Sequence, residues 1–226
     1  MFWLFYPETL IVLLPALVLA IYAQYKVRST YAKYLNVPLQ RPISAAQAAE
    51  LVLREAGVSG VKIEGTNRAL GDHYDPRTKA LRLSAPGSRS VAAVGVAAHE
   101  AGHAIQHARG YAPLALRSTI VPVASFGSQL AFPLFFVGLF FQSEMLVNVG
   151  ILLFAAAVLF TLVTLPVEFN ASRRAMAALS SGGIVTREEL GGVKRVLTAA
   201  ALTYVAAAAM AALQLLSMLM VANRRR

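Results

Sequence analysis

Residues Val94–Arg109 read VGVAAHEAGHAIQHAR and decide how the rest of the chain is interpreted. Positions 99–103 form an H-E-x-x-H pattern. On a helix, residues four positions apart lie on one face, one turn apart, so His99 and His103 can both reach one Zn²⁺. Glu100 can then accept a proton from a water bound to that ion. The stretch therefore predicts a helix with two metal ligands and a general base.

The flanking residues favour this helix. Small apolar residues lead in from Val91, and no proline interrupts Val91–Arg109. Three of the chain's four histidines fall within this stretch. Because an apolar helix face rarely buries His and Glu without partners, a metal-free polar helix is the weaker interpretation.

The composition is typical of an integral membrane protein. The chain is 57% apolar and 14% charged, and its mean hydropathy is +0.58. It has no cysteine, so disulfides and thiolate metal sites are excluded and a zinc site must use His and carboxylate. The net charge of +10 is spread among segments beside apolar stretches. This spread favours positive-inside membrane topology, and we expect no nucleic-acid partner.

The first predicted transmembrane helix occupies residues 1–25, with Phe2–Tyr6 needed to reach a spanning length. Lys26 and Arg28 follow its apolar core. A cleavable signal peptide carries its positive charge before that core, so we expect an uncleaved span with its N-terminus outside.

Three further apolar segments are long enough to cross the roughly 30 Å hydrocarbon core. Thr119–Phe141 and Met145–Val167 are joined by a short turn and predict a transmembrane hairpin over 118–167. Leu197–Ala222 is the fourth, within a predicted apolar helix and basic tail at 197–226. Its crossing is left open, because it would place the basic Arg224–Arg226 outside.

Residues 26–117 predict a small α+β unit that carries the H-E-x-x-H helix. A capping box at Ser44 starts an amphipathic helix that ends near Ala56. Val58–Glu64 predicts a short strand, and an Asp-Pro turn before Ala80–Ser84 predicts a hairpin.

The hairpin returns the chain to this unit's side of the membrane, where residues 168–196 predict a cytoplasmic helical segment. That segment has a polar loop and a second helix capped by Thr186. Basic residues in both soluble segments favour the cytoplasmic face of the cell membrane.

A catalytic zinc usually has three protein ligands. His107 lies two turns beyond His99, about 12 Å along a straight helix, which is too far to share an ion. We therefore expect His107 to lie at the surface or to orient another ligand. Glu168 is a better candidate, because a carboxylate at a membrane border needs a partner. Pairing with Arg173 or Arg174 is the alternative.

Asp72, His73 and Asp75 remain possible ligands at this stage. For Asp75 we prefer turn chemistry. His73 and Tyr74 are candidate donors to the oxyanion of a tetrahedral intermediate.

Three phrases together resemble the YugP-type membrane zinc metallopeptidases: HEAGHAIQHARGYAPLALRS, DHYDPRTKALRLS and LPVEFNASRRA. The resemblance covers roughly Tyr22 to Met210. It implies a gluzincin-like His-His-Glu site completed by Glu168. Many related peptidases carry Asp four residues beyond this Glu to orient a histidine, whereas this chain has Ser172. Ser172, Asn170 or a backbone carbonyl would have to substitute.

The sequence thus predicts a mainly α multi-pass membrane protein with a small α+β zincin-like unit. Its predicted function is zinc-dependent endopeptidase activity, with one Zn²⁺ per chain and Glu100 as general base. The predicted partners are the lipid bilayer and protein or peptide substrates, membrane proteins included. Ala80–Ser84 is a candidate strand for pairing with an extended substrate. Substrate identity and oligomeric state do not follow from the sequence.

Two alternatives come from other functional classes. A non-catalytic zinc-binding membrane scaffold would bind zinc without any activity that depends on Glu100. A metal transporter would need polar residues in the middle of its spans, and the predicted spans carry few.

Overall fold

The computed structural model describes residues 7–68 and 71–224. Within them the fold is mostly helical with one small sheet, which confirms the predicted fold class. The elements in chain order are α1 (Pro7–Leu35), α2 (Ala45–Glu55), β1 (Lys62–Gly65), β2 (His73–Asp75), β3 (Ala80–Leu83), α3 (Val91–Ala108), α4 (Ala112–Phe140), α5 (Glu144–Ser181) and α6 (Arg187–Asn223).

Four helices of the described chain, α1, α4, α5 and α6, are long and apolar enough to cross a membrane. Each has at least 27 residues, against the roughly 20 that a span requires. The chain is therefore a membrane protein. The predicted contribution of Phe2–Tyr6 to the first span, and the tail residues Arg225 and Arg226, lie outside the described residues.

The long helices extend beyond the boundaries predicted from polarity. α1 continues through Lys26, and α5 passes Pro166 and ends at Ser181. The helical break falls at residues 182–186, so 168–181 belongs to α5 and 187–196 to α6. A helix satisfies its backbone hydrogen bonds whether its side chains are apolar or charged, so the edge of an apolar stretch does not end it.

The described residues form two compact units. The described part of the membrane unit is drawn from residues 7–24, 116–165 and 203–224. The sheet unit comprises Tyr25–Ala115 and Pro166–Leu202. Contact between distant segments, and not a single continuous stretch, defines each unit.

The sheet unit contains three strands in the order β1-β3-β2. β2 is antiparallel to β3, which confirms the predicted hairpin, and β1 is parallel to β3. β1 begins at Lys62, later than the predicted Val58. The proposed pairing of Ala80–Ser84 with a substrate is wrong, because β3 is bonded on both sides; β2 lies at the edge.

Capping and small residues place α2 against α3. The predicted capping box is confirmed: the Ser44 hydroxyl accepts from the Gln47 N–H, and the Gln47 side chain accepts from the Ser44 N–H. The α3 N-terminus is capped by Ser90. Alanines on both helices allow close packing over β3, and the core includes Ala48, Ala49, Val52, Leu81, Leu83, Ala97, Ala98 and Ala101.

The membrane unit packs α4 against the first part of α5. Phe135 is fully buried there, in one apolar cluster with Ala131 and Phe154. The Thr164 hydroxyl donates to the Phe160 carbonyl of its own helix. This local bond satisfies a polar group in apolar surroundings.

Candidate metal centre

The sheet unit brings together two histidines of α3 and one glutamate of α5. His99 Nε2 lies 3.2 Å from Glu168 Oε2, and His103 Nε2 lies 3.6 Å from the same oxygen. Candidate ligand atoms of the three residues all lie within 4.8 Å of one another. Glu168 is 3% exposed, so its charge is largely removed from solvent. Among the described residues, this is the group of His, Asp and Glu that could hold a metal ion.

This donor set fits zinc. Two imidazole nitrogens and one carboxylate oxygen are a common catalytic zinc triad. Zinc–ligand bonds near 2.1 Å in a tetrahedral arrangement put neighbouring ligand atoms about 3.4 Å apart. The measured 3.2 and 3.6 Å separations of the histidine nitrogens from Glu168 Oε2 bracket that distance.

A close contact between helix backbones positions Glu168. Gly102 of α3 faces Ala171 of α5, and a Cβ added at Gly102 would lie 2.5 Å from the Ala171 carbonyl oxygen. Only glycine allows this approach. Ala171 lies one turn beyond Glu168, so the same contact brings the carboxylate to the two histidines. The second variable position of H-E-x-x-H is therefore constrained by packing.

Ser172 contacts the first histidine. Its Oγ lies 3.0 Å from His99 Nδ1, on the side of the ring opposite to Nε2. Ser172, four residues beyond Glu168, is thus directed at His99. A hydroxyl can donate or accept, so this contact holds the ring without dictating its tautomer.

The second histidine contacts Gln106, which the sequence analysis missed. His103 Nδ1 lies 3.0 Å from Gln106 Oε1, and Gln106 is fully buried. The Gln106 amide nitrogen donates to the Val167 carbonyl at 2.8 Å and to Asn170 Oδ1 at 3.0 Å. The available signal was a polar residue three positions after His103, on the same helix face.

Burial alone would lower the pKa of the His103 imidazole. The contact with Glu168 and the negative charges of Glu100 and Glu168 outweigh that effect, so the pKa lies above its ordinary value. The site therefore favours positive charge at this position, as expected of a place suited to a cation.

Glu100 is held by the backbone of β2. The Tyr74 N–H donates to Glu100 Oε2 at 3.0 Å. The Tyr74 hydroxyl lies 2.9 Å from His107 Nδ1, so His107 contacts Tyr74 and is not part of the three-residue group. Burial, and then the charge of Asp75, raises the pKa of Tyr74. Two contacts thus connect β2 to α3 beside the candidate base.

The other acidic candidates are engaged in the sheet. Asp72 accepts from the Ser84 N–H and hydroxyl. Asp75 accepts from the Thr78 hydroxyl and then from the Arg77 N–H, which lower its pKa and agree with turn chemistry. Neither belongs to the group that could hold a metal.

His73, a candidate ligand, and Arg174, a candidate partner of Glu168, each contact other residues. His73 Nδ1 lies 2.7 Å from the Gly71 carbonyl oxygen, and its Nε2 lies 3.5 Å from Arg82. Arg174 donates to Asn170 Oδ1 at 2.7 Å. Glu168 forms ionic contacts with the two histidines.

Comparison with known proteins identifies the family of this chain. A family model described as "Putative neutral zinc metallopeptidase" matches residues 9–223. The "Putative membrane protease YugP" of Bacillus subtilis (strain 168) is 45% identical over 208 residues, which cover 91% of this chain and 92% of the relative. No solved structure matches the chain. The match spans nearly the whole chain, and the chain therefore belongs to the neutral zinc metallopeptidase family.

Proposed function

We propose that this protein is a multi-pass membrane endopeptidase that hydrolyses peptide bonds with one zinc ion per chain. The observation that carries the proposal is the convergence of His99, His103 and Glu168, with Glu100 on the same helix turn. The family match and the relative's name, a membrane protease, support the same reaction class.

His99, His103 and Glu168 would hold the ion. Zinc supplies Lewis acidity, which polarises a peptide carbonyl and makes water acidic enough to lose a proton near neutral pH. Glu100 accepts that proton and returns it to the leaving amine. The Tyr74 N–H restrains one Glu100 oxygen, so the base keeps its direction without losing its charge.

Tyr74 is a better candidate than His73 for stabilising the oxyanion. Successive side chains of a strand point to opposite faces, and Tyr74 is on the face that reaches α3 at His107. His73 instead lies beside Arg82 of the neighbouring strand. An extended substrate would pair with the edge strand β2, because β3 has no open side.

Charge distribution favours a cytoplasmic position for the sheet unit. All Lys and Arg residues except Arg117 and Arg224–Arg226 belong to that unit. Cytoplasmic segments of membrane proteins are enriched in these residues. If α6 crosses fully, Arg224 is an exception to the rule.

Zinc content and cleavage together test the function. Detergent-purified wild type should contain about one zinc per chain, and Glu168→Ala should lose most of it. Glu100→Gln should retain zinc but cleave fluorescently labelled unfolded casein at least about 10³-fold more slowly, because it removes the base and keeps the ligands. Wild-type cleavage by Glu100→Gln would overturn the mechanism and favour the non-catalytic scaffold.

Orientation is testable because the chain has no cysteine. A single cysteine at the exposed Arg77 of the sheet unit should react with a membrane-impermeant maleimide only after cells are permeabilised. A cysteine at the exposed Phe141, between α4 and α5, should react in intact cells. The opposite labelling pattern would place the sheet unit outside.

A further inference from the structure

We infer that Gln106 is a positioning residue that holds His103 in the tautomer required of a zinc ligand. The inference rests on the metal site of the proposed function but not on peptide hydrolysis. Gln106 is fully buried, and both ends of its amide have hydrogen-bond partners. The same side chain contacts α3 and α5, the two helices that supply the candidate ligands.

The first step concerns the orientation of the Gln106 amide. The two atoms on one side of it are oxygens, the Val167 carbonyl and Asn170 Oδ1. A backbone carbonyl can only accept, so the amide nitrogen must face it. Asn170 Oδ1 also accepts from Arg174 Nε at 2.7 Å, which assigns that oxygen independently.

The second step concerns the histidine. Once the amide nitrogen faces α5, Gln106 Oε1 must face His103 Nδ1, 3.0 Å away. An amide oxygen only accepts, so Nδ1 carries a proton and donates it. The lone pair of the neutral ring is then on Nε2, the atom nearest Glu168. A carbonyl of α5 thereby selects the tautomer of a histidine on α3.

The described contact on the other side of the His103 ring is longer. Its Nε2 lies 3.6 Å from Glu168 Oε2, beyond the usual hydrogen-bond range, whereas the Gln106 contact is within it. Partners that orient a ligating histidine typically contribute a factor of roughly 10 to 100 in metal affinity. Gln106 is therefore expected to matter to metal binding beyond its packing.

Three variants separate positioning from simple structural support. Gln106→Met keeps the length of the side chain and removes both polar functions. Gln106→Glu keeps an oxygen that can accept from His103 Nδ1. Its second carboxylate oxygen, however, would face the Val167 carbonyl and Asn170 Oδ1, which also only accept hydrogen bonds. Val94→Ala, in the fully buried core of the same helix, is the matched packing control.

The measurements are zinc dissociation constants by chelator competition, the visible spectrum after Co²⁺ replacement, and the thermal unfolding midpoint without metal. If Gln106 positions His103, Gln106→Met should weaken zinc binding roughly 10- to 100-fold and alter the Co²⁺ bands. Gln106→Glu should bind zinc more tightly than Gln106→Met, although its buried charge makes it the less stable protein. Val94→Ala should lower the midpoint and leave zinc affinity within about twofold of wild type.

The outcomes distinguish the possible failures. Zinc affinity that follows the unfolding midpoint, with Gln106→Glu weakest, would overturn the inference in favour of structural support. Unchanged affinity in Gln106→Met would overturn it as well. Absence of metal binding by folded wild type would overturn the proposed metal site itself. If Gln106→Met does not fold, Gln106→Glu still decides the matter. Positioning predicts that it retains most of its zinc affinity although its unfolding midpoint falls, whereas structural support predicts that its affinity falls with the midpoint.

Discussion

His99 and His103 lie one turn apart on α3, and α5 constrains them in different ways. α5 acts on His103 through Gln106. Two acceptors on α5 fix the orientation of the Gln106 amide, and its oxygen contacts His103. His99 is reached directly by the Ser172 hydroxyl, which can rotate and either donate or accept. Two candidate ligands that look equivalent in the motif therefore differ in how firmly their ring orientation is determined.

The difference shows that the H-E-x-x-H motif specifies which residues can bind a metal ion, but not how their rings are oriented. Both histidines depend on α5, yet one contact is buried and directional while the other is adaptable. The contrast can be removed by displacing α5, or sharpened by changing the weaker contact.

The largest effect is expected from Gly102→Ala, which abolishes the contrast by moving α5 away from both histidines. The new methyl group would meet the Ala171 carbonyl at 2.5 Å, so the helices must separate. Glu168 lies one turn before Ala171, and Ser172 directly follows it. Zinc affinity should therefore fall more than about 100-fold, beyond the roughly 10- to 100-fold effect of one orienting contact. The assay is zinc content after dialysis, followed by chelator competition.

Gly150→Ala is the matched control for that variant. Its added Cβ would lie 2.8 Å from the Ala131 carbonyl, a comparable helix contact within the membrane unit. It should destabilise the protein by about 1–3 kcal/mol and leave zinc content unchanged. Full zinc occupancy in Gly102→Ala, or equal zinc loss in both variants, would contradict the assigned role of the α3–α5 contact.

A smaller effect is expected at the adaptable contact. Ser172→Ala should weaken zinc binding by less than about 10-fold, because His99 loses one partner that imposed no tautomer. Ser172→Asp should bind zinc at least as tightly as wild type, because a carboxylate accepts only and would assign the proton to His99 Nδ1. Isothermal titration of both variants measures the difference. A larger loss in Ser172→Ala than in Gln106→Met would reverse the comparison.

The smallest effect is expected far from both histidines. Ser44→Ala removes the capping box of α2 and should cost about 1 kcal/mol of stability, with zinc affinity unchanged. Ser44→Asp, which can still accept from the Gln47 N–H, should retain most of that stability. Hydrogen exchange of the α2 amides reports the change locally. Loss of zinc in Ser44→Ala would mean that the site depends on the whole sheet unit.

Much of this architecture could be predicted from local sequence. The Ser44 cap, the turn before β3 and the helix around the H-E-x-x-H pattern depend on neighbours a few residues apart, and the structure contains all three. α5 and α6 continue through the segment boundaries predicted at Val167 and Leu197, because polarity marks a change of environment and not the end of backbone hydrogen bonding. The central position of β3 was missed because strand order depends on contacts between distant segments.

By itself, the sequence determined that the chain enters a membrane, that it lacks thiol ligands, and that His99, Glu100 and His103 share one helix turn. These properties follow from composition and from the helical repeat. Only the tertiary structure decided that α5 packs closely against Gly102 and that Glu168 contacts both imidazoles. It also decided that Gln106 and Ser172 contact the two rings. The reason is that more than 60 residues separate the two helix faces along the chain, so their meeting depends on close packing and not on sequence spacing.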